Sequence, residues 1–127
     1  MSNPESAAPS LISQPSPSEL EAEIAETATA PRVTLDRINA AIKNYAYFNL
    51  GEAMKALGFD ASESAHLTTM CVLTLENDFQ VIGHSACVSR ENYREDIGRR
   101  VAYQKAIDQI WPLEGYLLKS RLLGLVS

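Results

Sequence analysis

Hydrophobic positions recur along the chain with two different periods. In "TLDRINAAIKNYAYF", Leu35, Ile38, Ile42 and Tyr45 are spaced by three and four. That spacing predicts one apolar face of a helix, with Thr34 placed to cap its start. "LGEAMKALGFDASESA" reads as a short helix stopped at Gly58, then a loop. "HLTTMCVLTL" and "FQVIGHSACV" are dense in β-branched and apolar residues and predict two strands. With Asn77-Asp78 as a two-residue hairpin turn, Cys71 faces His84 and Leu73 faces Ile82. One sheet face then carries Thr69, Cys71, Leu73, Leu75, Ile82 and Ala86, and the other Met70, Val72, Phe79, Val81 and Cys87. Both faces are apolar. A lone hairpin is marginal in water, so each face needs a cover. The chain's own helices can supply one, and more helix or a second subunit the other.

Beyond the strands, a polar corner, "VSRENYREDIGRR", leads into a long helical pattern. Asn92 with Glu95 three residues later resembles a capping box. Ile97, Val101, Ile107, Ile110, Trp111, Leu117 and Leu118 give a broad apolar surface. Pro112 predicts a kink or a fresh helix start, because it lacks the N–H and crowds the carbonyl four residues back. A helix of this length outruns its own hairpin, which again points to association. The expected fold class is α+β: an antiparallel β-hairpin or small sheet packed with an N-terminal helix and a long C-terminal helix, oligomeric.

Composition divides the chain at residue 31. Residues 1–31 hold five of the six prolines, five of the 16 acidic residues and no Lys or Arg. Such a segment buries too little apolar surface to offset chain entropy. It predicts a disordered acidic tail with a transient helix across "SELEAEIAE", followed by a single ligand-binding domain over 32–127. That leaves 11 acidic residues against 11 Lys and Arg from Arg32 onward, so the net charge of −5 belongs to the tail. A duplex nucleic-acid binder would carry a basic stripe instead. No apolar run is long enough to span a bilayer, and the N-terminus lacks the pattern of a secretory signal. Cys71 and Cys87 make no disulfide framework. A cytoplasmic protein with reduced thiols is expected.

Three constellations carry candidate chemistry. Cys71, His84 and Cys87, with His66 nearby, contain metal-ligating types, but the expected register puts Cys87 on the opposite face from the other two, and a zinc site needs four convergent ligands. No metal is expected. Cys71 beside His84 has the composition of a nucleophile and its base, yet a mid-strand Cys in an apolar run is a core residue, and the chain has no glycine-rich phosphate loop. An enzyme is not expected, nor a cofactor. The third constellation is the corner, with Asn92, Arg94, Arg99 and Arg100 within nine positions. As a solvated helix face it would form the i,i+4 pairs Glu95–Arg99 and Asp96–Arg100. As an anion site it would offer helix N–H groups and bidentate guanidinium contacts, with Phe79, Tyr93 or Tyr103 as a stacking ring.

The ordered run of a strand, a turn ending in Phe79, "GHSACVSRENY", "IGR" and "IWPLEGYLL" resembles the small phage proteins named for coliphage gene product forty-nine and Shigella phage gene sixty-six. Through them it is similar to the first class of Thoeris anti-defence proteins. The resemblance covers about fifty residues from Thr69. It implies a phage sponge in the host-cell cytoplasm. Such a protein binds a cyclic ADP-ribose isomer, or the cyclic oligonucleotide signals of CBASS, without cleaving it. It implies a homo-oligomer, a dimer able to build hexamers, with ligand held between subunits. By the same resemblance Phe79 is a candidate adenine-stacking ring, Asn92 a base or ribose contact and Arg99 a phosphate contact, with Arg100, Tyr103 and Lys105 as neighbours. The chain departs from the pattern at "RENYRED" and at Pro112. Competing expectations are an inhibitor that docks on a host protein and a hydrolase of the same signals.

Overall fold

The computed structural model describes residues 16–27 and 30–127. Its elements are α1 (Pro17–Thr27), α2 (Leu35–Ala41), β1 (Ile42–Asn49), α3 (Leu50–Ala56), α4 (Glu63–His66), β2 (Thr68–Leu75), β3 (Gln80–Ala86), a 3₁₀ turn (Arg90–Asn92) and α5 (Glu95–Leu122). The three strands form an antiparallel sheet in the order β1-β2-β3. The α+β class and the long C-terminal helix match the sequence reading.

α1 lies on the "SELEAEIAE" stretch and opens with a reciprocal cap. The Glu19 N–H donates to Ser16 Oγ at 3.1 Å, and the Ser16 N–H to Glu19 Oε1 at 2.8 Å. Glu21 then ties α1 to the domain, accepting from Arg32 at 2.9 Å and from the Leu35 N–H at 3.0 Å. The helix falls where a transient one was expected within the 1–31 tail; residues 1–15, 28 and 29 lie outside the described residues.

α2 starts at the expected cap, with the Arg37 N–H donating to Thr34 Oγ1 at 3.0 Å. It ends seven residues later. The helix expected to run on through Tyr45 becomes a strand at Ile42. Tyr45, Tyr47 and Asn49 follow a two-residue alternation, and "NYAYFN" is aromatic-rich, which favours a pleated surface. Pairing with β2 decides between helix and strand: Tyr45 sits opposite Leu73, Tyr47 opposite Cys71 and Asn49 opposite Thr69.

The hairpin register is one residue off the expected one. Cys71 faces Gly83, Leu73 faces Val81, and His84 faces Met70. The loop is three residues, Glu76-Asn77-Asp78, because Asp78 adopts a left-handed conformation (φ 72°) and Leu75 pairs directly with Phe79. The Phe79 N–H also donates to Asn77 Oδ1 at 3.0 Å, which fixes the loop from within. One extra loop residue turns β3 over. Val81 and Gly83 point inward, while Ile82 and His84 join Met70 and Val72 on the outer face.

α5 covers the inner face. Its contact stripe is Gly98, Ala102, Ala106 and Ile110, spaced by four, together with Ile107. Small residues let the helix backbone lie on the sheet: a Cβ on Gly83 would fall 2.1 Å from the Ala102 carbonyl oxygen and 2.5 Å from the Ala106 nitrogen. A Cβ on Gly98 would fall 2.6 Å from Thr69 Oγ1. The core is Ile38, Ala41, Cys71, Leu73, Leu75, Val81, Ala102, Ala106, Ile107 and Ile110. Ile97 and Val101, expected to pack inward, are exposed. Pro112 neither ends the helix nor restarts it; α5 continues for 28 residues, roughly 42 Å at 1.5 Å per residue. The outer sheet face, with Phe48, Met70, Val72 and Ile82, stays partly exposed.

Candidate ligand-binding surface

β1 and the first turns of α5 build a cluster of rings around one guanidinium. Alternation along β1 puts Tyr45, Tyr47 and Asn49 on the side of the sheet that faces α5. On α5, Glu95, Arg99 and Tyr103 are spaced by four and share a face. The Arg99 guanidinium carbon lies 5.4 Å from the centroid of the Tyr47 ring, within cation–π range. Tyr45 meets Tyr47 edge-on, with centroids 5.8 Å apart and planes at 62°. Burial pushes the Tyr47 and Tyr103 phenols above the ordinary value, so both remain neutral donors at pH 7. Burial likewise raises the Cys71 thiol, which behaves as a small hydrophobe beneath Tyr47. Beside the rings lies an open depression of about 380 Å³, lined by Asn39, Ile42, Lys43, Asn44, Tyr45 and Tyr103.

Three of the corner's cations are paired, as the solvated-face reading expects. Arg90 is gripped by Glu63 through two contacts of 2.7 Å. Arg94 pairs with Asp96 at 2.8 Å, and Arg99 with Glu95 at 3.1 Å. The expected Glu95–Arg99 pair forms. Asp96–Arg100 does not, because Arg94 has taken the carboxylate and holds it below its ordinary value by hydrogen bonding. Asn92 is not the helix cap either. It belongs to the 3₁₀ turn, and α5 begins after Arg94 with no side-chain cap. Asn92 lines a small cleft of about 190 Å³ with Ser85, Cys87, Tyr93 and Ile97.

Tyr93 anchors the corner to the sheet. Its hydroxyl accepts from Asn49 Nδ2 at 3.3 Å and lies 3.4 Å from Thr69 Oγ1. Asn49 also caps α3, accepting from the Glu52 N–H at 3.1 Å, and donates to the His66 carbonyl at 2.8 Å. These contacts frame a polar cleft of about 220 Å³ walled by Asn49, Glu52, His66, Arg90, Tyr93 and Glu95. Glu95 belongs both to this cleft and to the Arg99 ion pair, so the cleft adjoins that pair.

Not every expected residue joins this surface. Phe79 sits at the hairpin tip, half exposed, on a cleft of about 450 Å³ lined also by Leu113, Tyr116, Leu117 and Arg121. Arg99 and Leu113 are fourteen residues apart on α5, about 21 Å along the axis. Phe79 and Arg99 therefore lie at different places along α5, Phe79 on the cleft of its later turns and Arg99 on its first turns. Arg100 is exposed next to Arg99. Lys105 lies about a third of a turn around the helix from Arg99, off the face that carries Arg99 and Tyr103. His84 and Cys71 lie on opposite sheet faces, so no nucleophile–base pair forms between them. Sequence reading missed Tyr45, Tyr47 and Asn49 because β1 was read as helix. The available signal was the alternation Tyr45, Tyr47, Asn49.

A family model matches residues 33–122, from just before α2 to the end of α5. The chain belongs to the phage protein family of N4 Gp49 and phage Sf6 gene 66. The family match takes in the ring cluster, the corner cleft and Phe79, and leaves α1 outside. No match to a curated protein or to a solved structure was found. No helix among the described residues is long and apolar enough to cross a membrane.

Proposed function

We propose that this phage protein is an anti-defence sponge: it binds a cyclic nucleotide immune signal of the host, a Thoeris cyclic ADP-ribose isomer or a CBASS cyclic oligonucleotide, and holds it uncleaved. The observation that carries the reading is the Arg99 guanidinium over Tyr47, with Tyr45 and Tyr103 alongside. A nucleotide signal presents flat bases and phosphate anions. Rings bind the first, and a guanidinium freed from Glu95 binds the second bidentately. The Glu95–Arg99 pair is half exposed, so opening it costs well under about 1 kcal/mol. A phosphate can take the guanidinium over readily.

The active form is a homo-oligomer, and the separation of Phe79 from Arg99 supports this. An oligomer lets one ligand take the two from different subunits. Family membership agrees with a phage role. A second reading, an inhibitor docking on a host protein, draws on the partly exposed sheet face that includes Phe48 and Ile82.

The test is a capture-and-release assay over a panel of cyclic nucleotides. The purified protein is incubated with each compound, free ligand is removed, and the protein is then heat-denatured. Intact nucleotide released on heating is the expected result. Altered nucleotide would convert the reading to an enzyme, and no depletion of any nucleotide would favour the protein-docking alternative.

A further inference from the structure

The corner cleft beside Arg99 has a chemistry that neither rings nor phosphate would use. Its six wall residues are all polar or ionisable. At about 220 Å³ it falls below the roughly 300–1,000 Å³ of clefts that bury whole drug-sized ligands. Around it stand three carboxylates (Glu52, Glu63, Glu95) and two guanidiniums (Arg90, Arg99). That balance repels a further anion and welcomes hydrogen-bond donors.

The walls are held in place. The Tyr93 hydroxyl is fixed by Asn49 and Thr69. The His66 ring lies so close to the Gly51 backbone that a Cβ there would come within 2.6 Å of two ring atoms. Arg90 is clamped by Glu63. Among these groups, Glu52 is the wall carboxylate with no ion pair. An unpaired carboxylate is a ready acceptor for ribose hydroxyls, as in dinucleotide sites. An imidazole and a phenol can each hydrogen-bond to the same oxygens.

We propose that the cleft walled by Asn49, Glu52, His66, Arg90, Tyr93 and Glu95 is a subsite for the vicinal diol of a sugar, the ribose of a nucleotide whose phosphate lies on Arg99; this rests on the nucleotide reading above. Glu52 accepts from the diol, and His66 and Tyr93 position it. Glu95, shared between cleft and ion pair, is displaced from Arg99 as the phosphate enters.

The experiment is an NMR titration of the full chain with adenosine 5′-monophosphate, its 2′,3′-dideoxy analogue and D-ribose. It follows the His66, Tyr93 and Tyr47 ring signals in the wild type and in Glu52→Gln. Glu52 is exposed, so the variant keeps the fold. The expected result is that the ribonucleotide moves His66 and Tyr93 and binds about tenfold or more tightly than the dideoxy analogue, the scale of a lost hydrogen bond to a charged group. Glu52→Gln should erase that preference. Equal binding of both nucleotides that moves Tyr47 and leaves His66 still would overturn the diol subsite while the nucleotide reading stands. A response of His66 and Tyr93 to D-ribose alone, lost in Glu52→Gln, with no nucleotide bound, would keep the subsite and sink the nucleotide reading. No response to any of the three would overturn the subsite.

Discussion

Replacing Arg99 with Ala separates binding from stability. In the folded chain the Arg99 side chain is 48% exposed and makes two contacts, the 3.1 Å pair with Glu95 and the cation–π contact with Tyr47. An exposed i,i+4 pair contributes about 0.3–0.5 kcal/mol, and an exposed cation–π contact about 0.5–1 kcal/mol. The loss of stability should therefore be about 1 kcal/mol. For a domain of this size that lowers Tm by about 4–8 °C or less. Binding should suffer more. A guanidinium–phosphate contact that is partly desolvated contributes about 1.5–3 kcal/mol, which is roughly one to two decades in Kd. The assay is isothermal titration of wild type, Arg99→Ala and Arg99→Lys with the nucleotide found by capture and release, beside thermal melts of all three. Lys keeps the charge but loses the fork and the stacking plane, so it should restore only part of the affinity. Wild-type affinity in Arg99→Ala would refute the phosphate assignment. A fall in Tm well beyond 8 °C would show that Arg99 holds the fold, and would refute the ledger above.

Gly83→Ala should lower stability to urea by about 1–3 kcal/mol or more, because the new Cβ meets the α5 backbone rather than a movable side chain; unchanged stability would mean that α5 does not lie on β3 as described. The Glu21 carboxyl is held below its ordinary value of 4.5, first by the Arg32 hydrogen bond and then by the Leu35 N–H. A depressed carboxylate contributes above its unfolded value and stops contributing as pH falls through its folded one, so α1 should detach from Leu35 in acid below that range while α5 remains docked, as followed by the protection factor of the Leu35 amide; protection there that persists in acid would refute the anchor. Deleting residues 1–31 should leave the domain folded, since every core residue lies between Ile38 and Ile110, and a deletion product that fails to melt cooperatively would refute this. Mixing Phe79→Ala with Arg99→Ala protein should recover part of the nucleotide binding that each lacks, if a shared ligand spans subunits; no recovery would place the pocket within one chain.

Much of the fold was legible in local chemistry. Thr34 and Gly58 mark a helix start and a helix stop by side-chain capping and by a positive φ, both properties of single residues. β2, β3 and the long α5 followed from composition and period, and the Glu95–Arg99 pair from spacing alone. What tertiary structure decided were choices between patterns of nearly equal local merit. "IKNYAYFN" fits a helix face and an alternating strand alike, and only the free edge of β2 makes it a strand. The hairpin register turned on whether Asp78 would take a left-handed conformation, a difference of one residue that puts Val81 and Gly83 in the core in place of Ile82 and His84. Apolar counting favoured Ile97 and Val101 as the buried face of α5. Close packing of α5 against Gly83 rewarded Ala102 and Ala106 instead, and close packing against Thr69 rewarded Gly98. The candidate site shows the same division. Arg99 stood out in the sequence by its charge and position, but its ring partners come from a strand some fifty residues earlier. A periodicity within one segment cannot report which segments meet, because that depends on burial shared across the whole fold.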